Sequence, residues 1–240
     1  MVTKRITKTD RIIEAFGRAI VHGDYPPSTT LPSESDLCTQ FETSRNVLRE
    51  VIKVLATKRL IDAQRFRGLS VMPREQWNYL DADVLEWALE KGNDPVLIHS
   101  LIEVRSTLEP VISRWAAERA TAVDLVAIES ALNDMKRNAD DRPAFMEADI
   151  AFHRAITIAT HNLVIQQMSD AVSALQRAIF DHTFLMDKAH LALTIKEHSD
   201  LFDFIRYKNV EAAEKISIDM ITRTASRARV QIENGEILAS

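Results

Sequence analysis

The sequence has a single cysteine, few glycines and prolines, and no long run of apolar residues. One cysteine among 240 residues, Cys38, excludes an intrachain disulfide and is typical of a protein kept in a reducing cytosol. The apolar runs are too short to span a bilayer and no signal peptide is evident, so we expect a cytoplasmic protein without a membrane partner. Only 5 glycines and 7 prolines interrupt the chain, which favours a mainly helical fold.

Charge divides the chain into two parts. Residues 1–75 contain 13 Lys and Arg against 9 Asp and Glu, a net charge of +4, whereas residues 76–240 contain 17 against 26, a net charge of −9. A basic first third attached to an acidic remainder is typical of a DNA-binding module joined to a part that stays off DNA. We therefore expect two domains, each with its own core.

Two helices separated by a tight turn are predicted between residues 31 and 57. Ser33, with Asp36 three residues later, forms a capped helix start, and Ser44 stands where the N-cap of the second helix belongs. The apolar residues of the second helix recur at helical spacing: Leu48, Val51, Ile52 and Leu55. This arrangement predicts a helix-turn-helix, whose second helix enters the major groove of DNA.

The second helix also carries a basic face. Arg45, Arg49 and Lys53 recur every four residues, and Asn46 lies beside Arg45 near the helix start. Because Arg pairs well with guanine and Asn with adenine, we expect Arg45 and Asn46 to reach base edges, and Arg49 and Lys53 to contact phosphate. The alternative is an ordinary amphipathic helix whose basic face is only solvated, but the N-caps and the segment that follows favour DNA recognition.

A β-hairpin is predicted after this helix. Two short runs of strand-forming residues flank a basic tip that contains Arg65, Arg67 and Gly68. Arginines at such a tip lie along a phosphate or enter the minor groove. Upstream, a first helix has an apolar face made of Ile12, Ile13, Phe16, Ile20 and Val21. Together these elements predict a winged-helix domain over residues 1–74.

The rest of the chain is predicted to be helical almost throughout. Residues 75–83 form the expected linker, residues 84–232 an all-α bundle with about six more helices after its first, and residues 233–240 a tail. The expected fold class is therefore mainly α: an N-terminal winged helix-turn-helix with a small β wing, then a C-terminal all-α helical bundle.

One cluster in the bundle has the residue types of a metal site. Asp149 and His153 lie four residues apart, so on a helix they share a face, and His198 follows about 45 residues later. Such a set can hold a divalent ion with positions left open for an oxygen-rich ligand. The alternatives are a surface pair or helix cap without an ion, or a metal-dependent enzyme, for which no general base is evident nearby. The other histidines are expected at the surface or in caps: His22, His99, His161, His182 and His190.

Residues 23 to 73 resemble the winged-helix domain of the GntR superfamily. The matching residues are Gly23, Leu31-Pro32-Ser33-Glu34, Leu37, Phe41, Ser44-Arg45, Leu48-Arg49-Glu50, Leu55 and Gly68. The DNA contacts that this resemblance implies fall on Ser44, Arg45, Asn46, Val47, Arg49 and the wing near Gly68. The chain departs from the family pattern at Ser35, where arginine is common, and at Ser28, where glycine is common.

The bundle resembles the FCD ligand-binding domain of the FadR subfamily. The matching stretches are Glu103-Val104-Arg105, Leu108-Glu109-Pro110, Ala116-Ala117, Asp149 with His153, Asn162, Glu197-His198 and Ala212-Ala213-Glu214. The resemblance implies a divalent ion of the Zn, Ni or Mn type on Asp149, His153 and His198, with Met220 at the position of a fourth ligand. Because a thioether is a poor ligand for hard cations, the ion has three protein ligands, is held more weakly, or is absent.

The same resemblance implies a small acidic effector and a homodimer on operator DNA. It places Arg105 in the cavity, where a guanidinium can bind a carboxylate, although a surface pair with Glu109 is the alternative. We expect Thr194, one turn before His198, to offer a hydroxyl and Gln176 to form a polar wall, unless Gln176 only packs at the core edge. The likeness is strongest to repressors of sugar-acid catabolism, which implies an acid such as D-galactonate, with hexuronate and gluconate as rivals.

Overall fold

A computed structural model describes residues 7–64, 68–90, 94–169, 172–173, 176–177, 180 and 188–233, without the side chains of residues 64 and 228–233. The chain divides into two compact units, Met1–Lys91 and Gly92–Ser240. Among the described helices, none is both long enough and apolar enough to cross a membrane.

The first unit begins with three helices, each capped by a hydroxyl side chain. They are α1 (Lys8–Val21), α2 (Glu34–Gln40) and α3 (Arg45–Thr57). The side chains of Thr7, Ser33 and Ser44 each accept a hydrogen bond from a backbone N–H in the first turn of the helix that follows. These caps satisfy amides that a helix leaves unpaired, and they fix where each helix begins. The predicted N-caps Ser33 and Ser44 are confirmed.

A small sheet follows α3. Its strands, β1 (Ile61–Gln64) and β2 (Gly68–Val71), pair antiparallel, which confirms the predicted hairpin. Gly68 has a φ of +80°, a left-handed conformation that glycine adopts without steric cost. The predicted tip residues Arg65 and Arg67 lie outside the described residues. The core beneath these elements includes Phe16, Ile20, Leu37, Leu48, Val51, Ile52, Leu55 and Leu60.

Within the described residues, a short 3-10 helix (Arg74–Gln76) and one further α-helix complete the first unit. This helix, α4 (Ala82–Glu90), packs against α1. Trp87 of α4 is buried over Gly17, where a Cβ atom would lie only 2.2 Å from ring atom Cζ3. From the sequence, this helix was predicted to belong to the second domain, after a linker over residues 75–83. The structure differs because Trp87 fills a gap above α1, a long-range contact that helical periodicity does not reveal.

Lys58 ties the end of α3 to the start of α4. It is buried, and its Nζ donates to Asp81 Oδ1 and to Asp83 Oδ2, each at 2.7 Å. Burial lowers the pKa of Lys58, but the hydrogen bonds and charges of the two carboxylates outweigh burial and raise it above its usual value. Lys58 therefore stays charged and links the C-terminal end of α3 to the residues that begin α4.

The second unit is a helical bundle. Its helices, within the described residues, are α5 (Pro95–Arg119), α6 (Ala122–Arg137), α7 (Arg142–Ala159), α8 (Leu163–Gln167), α9 (Lys188–Arg206) and α10 (Val210–Glu233). Helix α5 packs against α10, α6 packs against α7, and α9 contacts α5, α6 and α10. Fully buried side chains at the centre include Ile128, Met135, Phe145 and Phe152. The predicted mainly α fold with a two-stranded wing is confirmed.

Candidate functional site

The exposed face of α3 carries the side chains that the sequence assigned to DNA. Arg45, Asn46, Arg49 and Lys53 are exposed, as is the capping Ser44, while the opposite face of the helix is buried. Val47, a sixth predicted contact, is partly buried against the core of this unit. The local reason is the helical period, which separates the apolar positions of α3 from the basic ones.

The four polar side chains of this face differ in what holds them. Arg49 Nε donates to Glu34 Oε2 on α2 at 3.2 Å, and Lys53 Nζ donates to Glu50 Oε1 at 2.7 Å. The side chains of Arg45 and Asn46 make no hydrogen bond or ion pair with the described part of the chain. The N-terminal end of α3 can therefore meet a partner without breaking an existing contact.

A cavity in the second unit brings together the polar residues singled out in the bundle. Its lining includes Arg105, Glu109, Asp149, His153, Gln176, Phe180, His190, Thr194, Glu197, His198, Met220, Arg223 and Arg227. Helices α5, α7, α9 and α10 each contribute to this lining. All six residues predicted to bind an effector or an ion therefore face one space.

The predicted metal ligands converge. The ligand atoms of Asp149, His153 and His198 all lie within 4.8 Å of one another. His198 Nε2 is 2.9 Å from Asp149 Oδ1 and 3.3 Å from His153 Nε2, and His153 Nε2 is 3.9 Å from Asp149 Oδ1. Asp149 and His153 lie one turn apart on α7, and α9 supplies the third group.

A second hydrogen bond of His198 decides what its Nε2 atom can do. Nδ1 lies 2.7 Å from the carbonyl oxygen of Thr194, and because a carbonyl oxygen only accepts, Nδ1 carries a proton. In a neutral ring Nε2 then presents a lone pair to the Asp149 carboxylate, which also only accepts. Two acceptors at 2.9 Å need a cation, either a proton on Nε2 or a metal ion shared by the cluster. The residues present therefore fit a metal ion.

The protonation states also suit an ion. Burial raises the pKa of the Asp149 carboxyl, but the hydrogen bond with His198 and the nearby His153 outweigh burial and lower it below its usual value. Burial lowers the pKa of His153, and the carboxylates of Asp149 and Glu109 only partly offset that shift. An ionised carboxylate and a neutral imidazole are the forms that coordinate divalent metals.

Arg105 lies in the cavity and is paired there with Glu109. Nε donates to Oε1 at 2.6 Å and Nη2 to Oε2 at 3.4 Å, and the two side chains are only 11% and 8% exposed. The alternative was a surface pair of Arg105 with Glu109. The partner is confirmed, but the pair is buried in the cavity and not at the surface. A guanidinium has further N–H groups, and those that Glu109 does not use are available to a carboxylate.

Part of this lining was not predicted from the sequence. His190 was expected at the surface or in a cap, but it is buried, and Arg227 Nη1 lies 3.2 Å from its Nε2. The available signal was its spacing of four and eight residues from Thr194 and His198 on α9. The other unforeseen lining residues include Glu197, Ile221, Arg223 and Thr224.

Two family models match this chain. The model of the bacterial regulatory proteins of the gntR family matches residues 8–71, which hold α1 to α3 and the wing. The model of the FCD domain matches residues 100–223, which include the Asp149, His153 and His198 cluster.

Individual proteins agree with these matches. The chain is 52% identical to the galactonate operon transcriptional repressor of Escherichia coli (strain K12) over 224 residues, 93% of this chain and 98% of that protein. It is 26% identical to the HTH-type transcriptional regulator YieP of the same strain over 206 residues, 85% of this chain and 88% of that protein. Among solved structures, the chain is similar to Lar, which controls the expression of the Listeria monocytogenes agr system, with a TM-score of 0.64. The match covers 95% of this chain and 99% of that chain at 17% identity, and it supports the fold alone.

Domain order and relatives lead to one assignment. A winged helix is followed by an FCD bundle, as the sequence predicted, and the curated relatives named above are transcriptional regulators. The alternative of a metal-dependent enzyme is thereby set aside. The chain belongs to the gntR family of bacterial regulatory proteins, with an FCD domain behind its winged helix, and is a ligand-responsive, DNA-binding transcriptional regulator.

Proposed function

We propose that this regulator represses a sugar-acid catabolic operon and leaves its operator when D-galactonate binds the cavity of the second unit. The observation that carries the proposal is the 52% identity to the galactonate operon repressor over 93% of this chain. The cavity supports it chemically, because guanidinium groups suit a carboxylate and the many polar side chains suit hydroxyls. Hexuronate and gluconate are the rival effectors, since the configuration or oxidation of single carbons separates these acids.

The proposed effector site has two parts. Its effector contacts are Arg105, Gln176 and Thr194, and its ion ligands are Asp149, His153 and His198. A divalent ion of the Zn, Ni or Mn type would supply a positive centre for effector oxygens. Met220 also lines the cavity, but a thioether is a poor ligand for hard cations, so we expect three protein ligands and open positions for the effector.

The proposed DNA site is the exposed face of α3 together with the wing. Arg45 and Asn46 are the candidates for base edges, because they stand at the N-terminal end of the helix. The candidates for backbone contacts are Ser44, Val47, Arg49, Lys53, Arg65, Arg67 and Gly68. The contact between Arg49 and Glu34 supports a phosphate role for Arg49, because it orients the guanidinium without burying it.

We expect a homodimer that places two α3 helices in successive major grooves of a near-palindromic operator. Effector binding then favours an arrangement of the two DNA-binding units that no longer fits the half-sites. A 100-fold loss of operator affinity requires about 2.7 kcal/mol of coupling between the two sites. Such a repressor works where the chromosome lies, in the cytoplasm.

Fluorescence anisotropy on labelled DNA from upstream of the protein's own gene tests this proposal. We expect tight binding that D-galactonate reverses, while D-gluconate and D-glucuronate have no effect at the same concentration. Tight binding that D-galactonate leaves unchanged would contradict the effector assignment. An absence of binding at low salt would contradict the DNA-binding role itself.

Two variants separate the sites. Arg105→Lys keeps a positive charge beside Glu109 but loses the planar fork, so we expect normal operator binding and at least a roughly 10-fold higher galactonate requirement. Arg45→Ala is the matched control in the other unit. It should weaken operator binding by about 1–3 kcal/mol and leave galactonate affinity unchanged. An Arg105→Lys protein with wild-type galactonate response would contradict the carboxylate role of Arg105.

A further inference from the structure

Within the described residues, the side-chain amide of Gln176 has a partner for its nitrogen but none for its oxygen. The residue is only 3% exposed and lines the cavity. Its Nε2 donates to Glu109 Oε1 at 3.4 Å, whereas its Oε1 is buried and has no hydrogen-bond partner within the described part of the chain. A buried acceptor without a donor loses the free energy of its hydration, so a molecule in the cavity that donates a hydrogen bond to this oxygen would be stabilised there.

Glu109 decides which way this amide faces. Burial raises the pKa of Glu109, but the charge and hydrogen bonds of Arg105 lower it below its usual value, so the carboxylate is ionised and only accepts hydrogen bonds. A flipped amide would place Gln176 Oε1 against Glu109 Oε1, and two acceptors repel each other. Arg105 Nε donates to the same oxygen at 2.6 Å, so Glu109 Oε1 accepts hydrogen bonds from both Arg105 and Gln176. The hydrogen-bonded series Arg105, Glu109 and Gln176 therefore ends in Gln176 Oε1, which can only accept a hydrogen bond.

We propose that Gln176 Oε1 accepts a hydrogen bond from a hydroxyl of the effector, and that this contact selects a hydroxy acid over a keto or deoxy analogue of the same shape. A hydroxyl donates, a keto oxygen only accepts, and a methylene does neither, so both replacements leave Oε1 unpaired. This inference rests on the proposed function, since it takes the effector to be a sugar acid. Packing of Gln176 at the core edge, the competing explanation, predicts no preference for a hydroxyl.

Titration calorimetry on the full-length protein tests the inference. The probes are D-galactonate and its five monodeoxy derivatives, from C2 to C6, and the variant is Gln176→Met, which keeps the length of the side chain and removes the acceptor. For the wild type we expect at least one derivative to bind roughly 10-fold or more weakly than D-galactonate. In Gln176→Met, the affinity for D-galactonate should fall by a similar factor, whereas the affinity for that derivative should not fall. The ratio of the two affinities therefore approaches one.

Gln166→Leu is the control, because Gln166 is only partly buried on α8 and its Nε2 donates to the carbonyl oxygen of Ile158. It should keep the wild-type ratio. Failure of D-galactonate to bind the wild type would overturn the proposed function and this inference with it. D-galactonate binding with all five derivatives equally tight, which needs no folded variant to observe, would overturn the inference alone. An unchanged ratio in Gln176→Met would do the same.

Discussion

Replacing Gly17 with alanine tests whether α4 packs on α1 as part of the DNA-binding unit. Gly17 is buried in α1 beneath the ring of Trp87, itself only 4% exposed. A Cβ atom at position 17 would lie 2.2, 2.5 and 2.9 Å from ring atoms Cζ3, Cη2 and Cε3. These distances are far shorter than van der Waals contact, and a fused ring in a packed core cannot bend away as the end of a flexible side chain can.

Two effects of opposite sign set the magnitude. Alanine favours an interior helical position over glycine by about 1 kcal/mol. Overpacking of a filled core costs about 1–3 kcal/mol, and three contacts shorter than 3 Å place this case toward the upper end of that range. We therefore expect Gly17→Ala to lower the free energy of unfolding of the first unit by about 1–2 kcal/mol.

Urea unfolding followed by circular dichroism measures this loss in a double-mutant cycle with Trp87→Leu. Because leucine opens the space above position 17, the double variant should be at least as stable as Trp87→Leu alone, which gives a coupling of at least about 1–2 kcal/mol. A Gly17→Ala protein that is more stable than the wild type by the full helix-propensity gain would refute the packing of Trp87 on α1. A cycle without coupling would refute it as well.

Three further predictions concern the backbone, a charge and the ion. Ser28 has a φ of 63°, which is strained for a residue other than glycine, so Ser28→Gly should raise the free energy of unfolding by about 0.5 kcal/mol in urea titrations; a loss would show that the serine side chain is needed there. Burial raises the pKa of Asp124, but hydrogen bonds from Thr121 and His161 outweigh burial and lower it. The stability that the Asp124 carboxylate contributes is therefore present above the unfolded-state pKa of about 3.9 and is lost as the pH falls through the folded-state pKa. The Tm of Asp124→Asn should therefore lie below that of the wild type at pH 7, and the gap should begin to close as the pH falls below about 4, so a constant gap down to pH 3 would contradict this. Asp149→Asn should weaken Zn²⁺ binding by at least about 10-fold in titration calorimetry without weakening operator binding, and unchanged Zn²⁺ affinity would place the ion elsewhere.

The sequence was sufficient wherever the determining interaction is local. Ser33 and Ser44 could be recognised as N-caps because the amides they satisfy lie within the next three residues. The buried and exposed faces of α3 follow from the helical period, and the same rule places Asp149 and His153 on one face of α7. His198 was a candidate third ligand from its residue type, and the resemblance to a family strengthened that prediction, since spacing along the chain does not connect α7 with α9.

The tertiary structure decided everything that depends on which faces meet. Periodicity marks a helix as amphipathic but does not name its partner, so only the packed structure places Trp87 over Gly17 and α4 in the first unit. For the same reason the burial of His190 in the cavity was not foreseen. The direction of the Gln176 amide is set by Glu109, 67 residues away in the chain. The sequence by itself thus determined the elements, the family and the types of residue in the site, whereas folding decided which of their atoms face the same space.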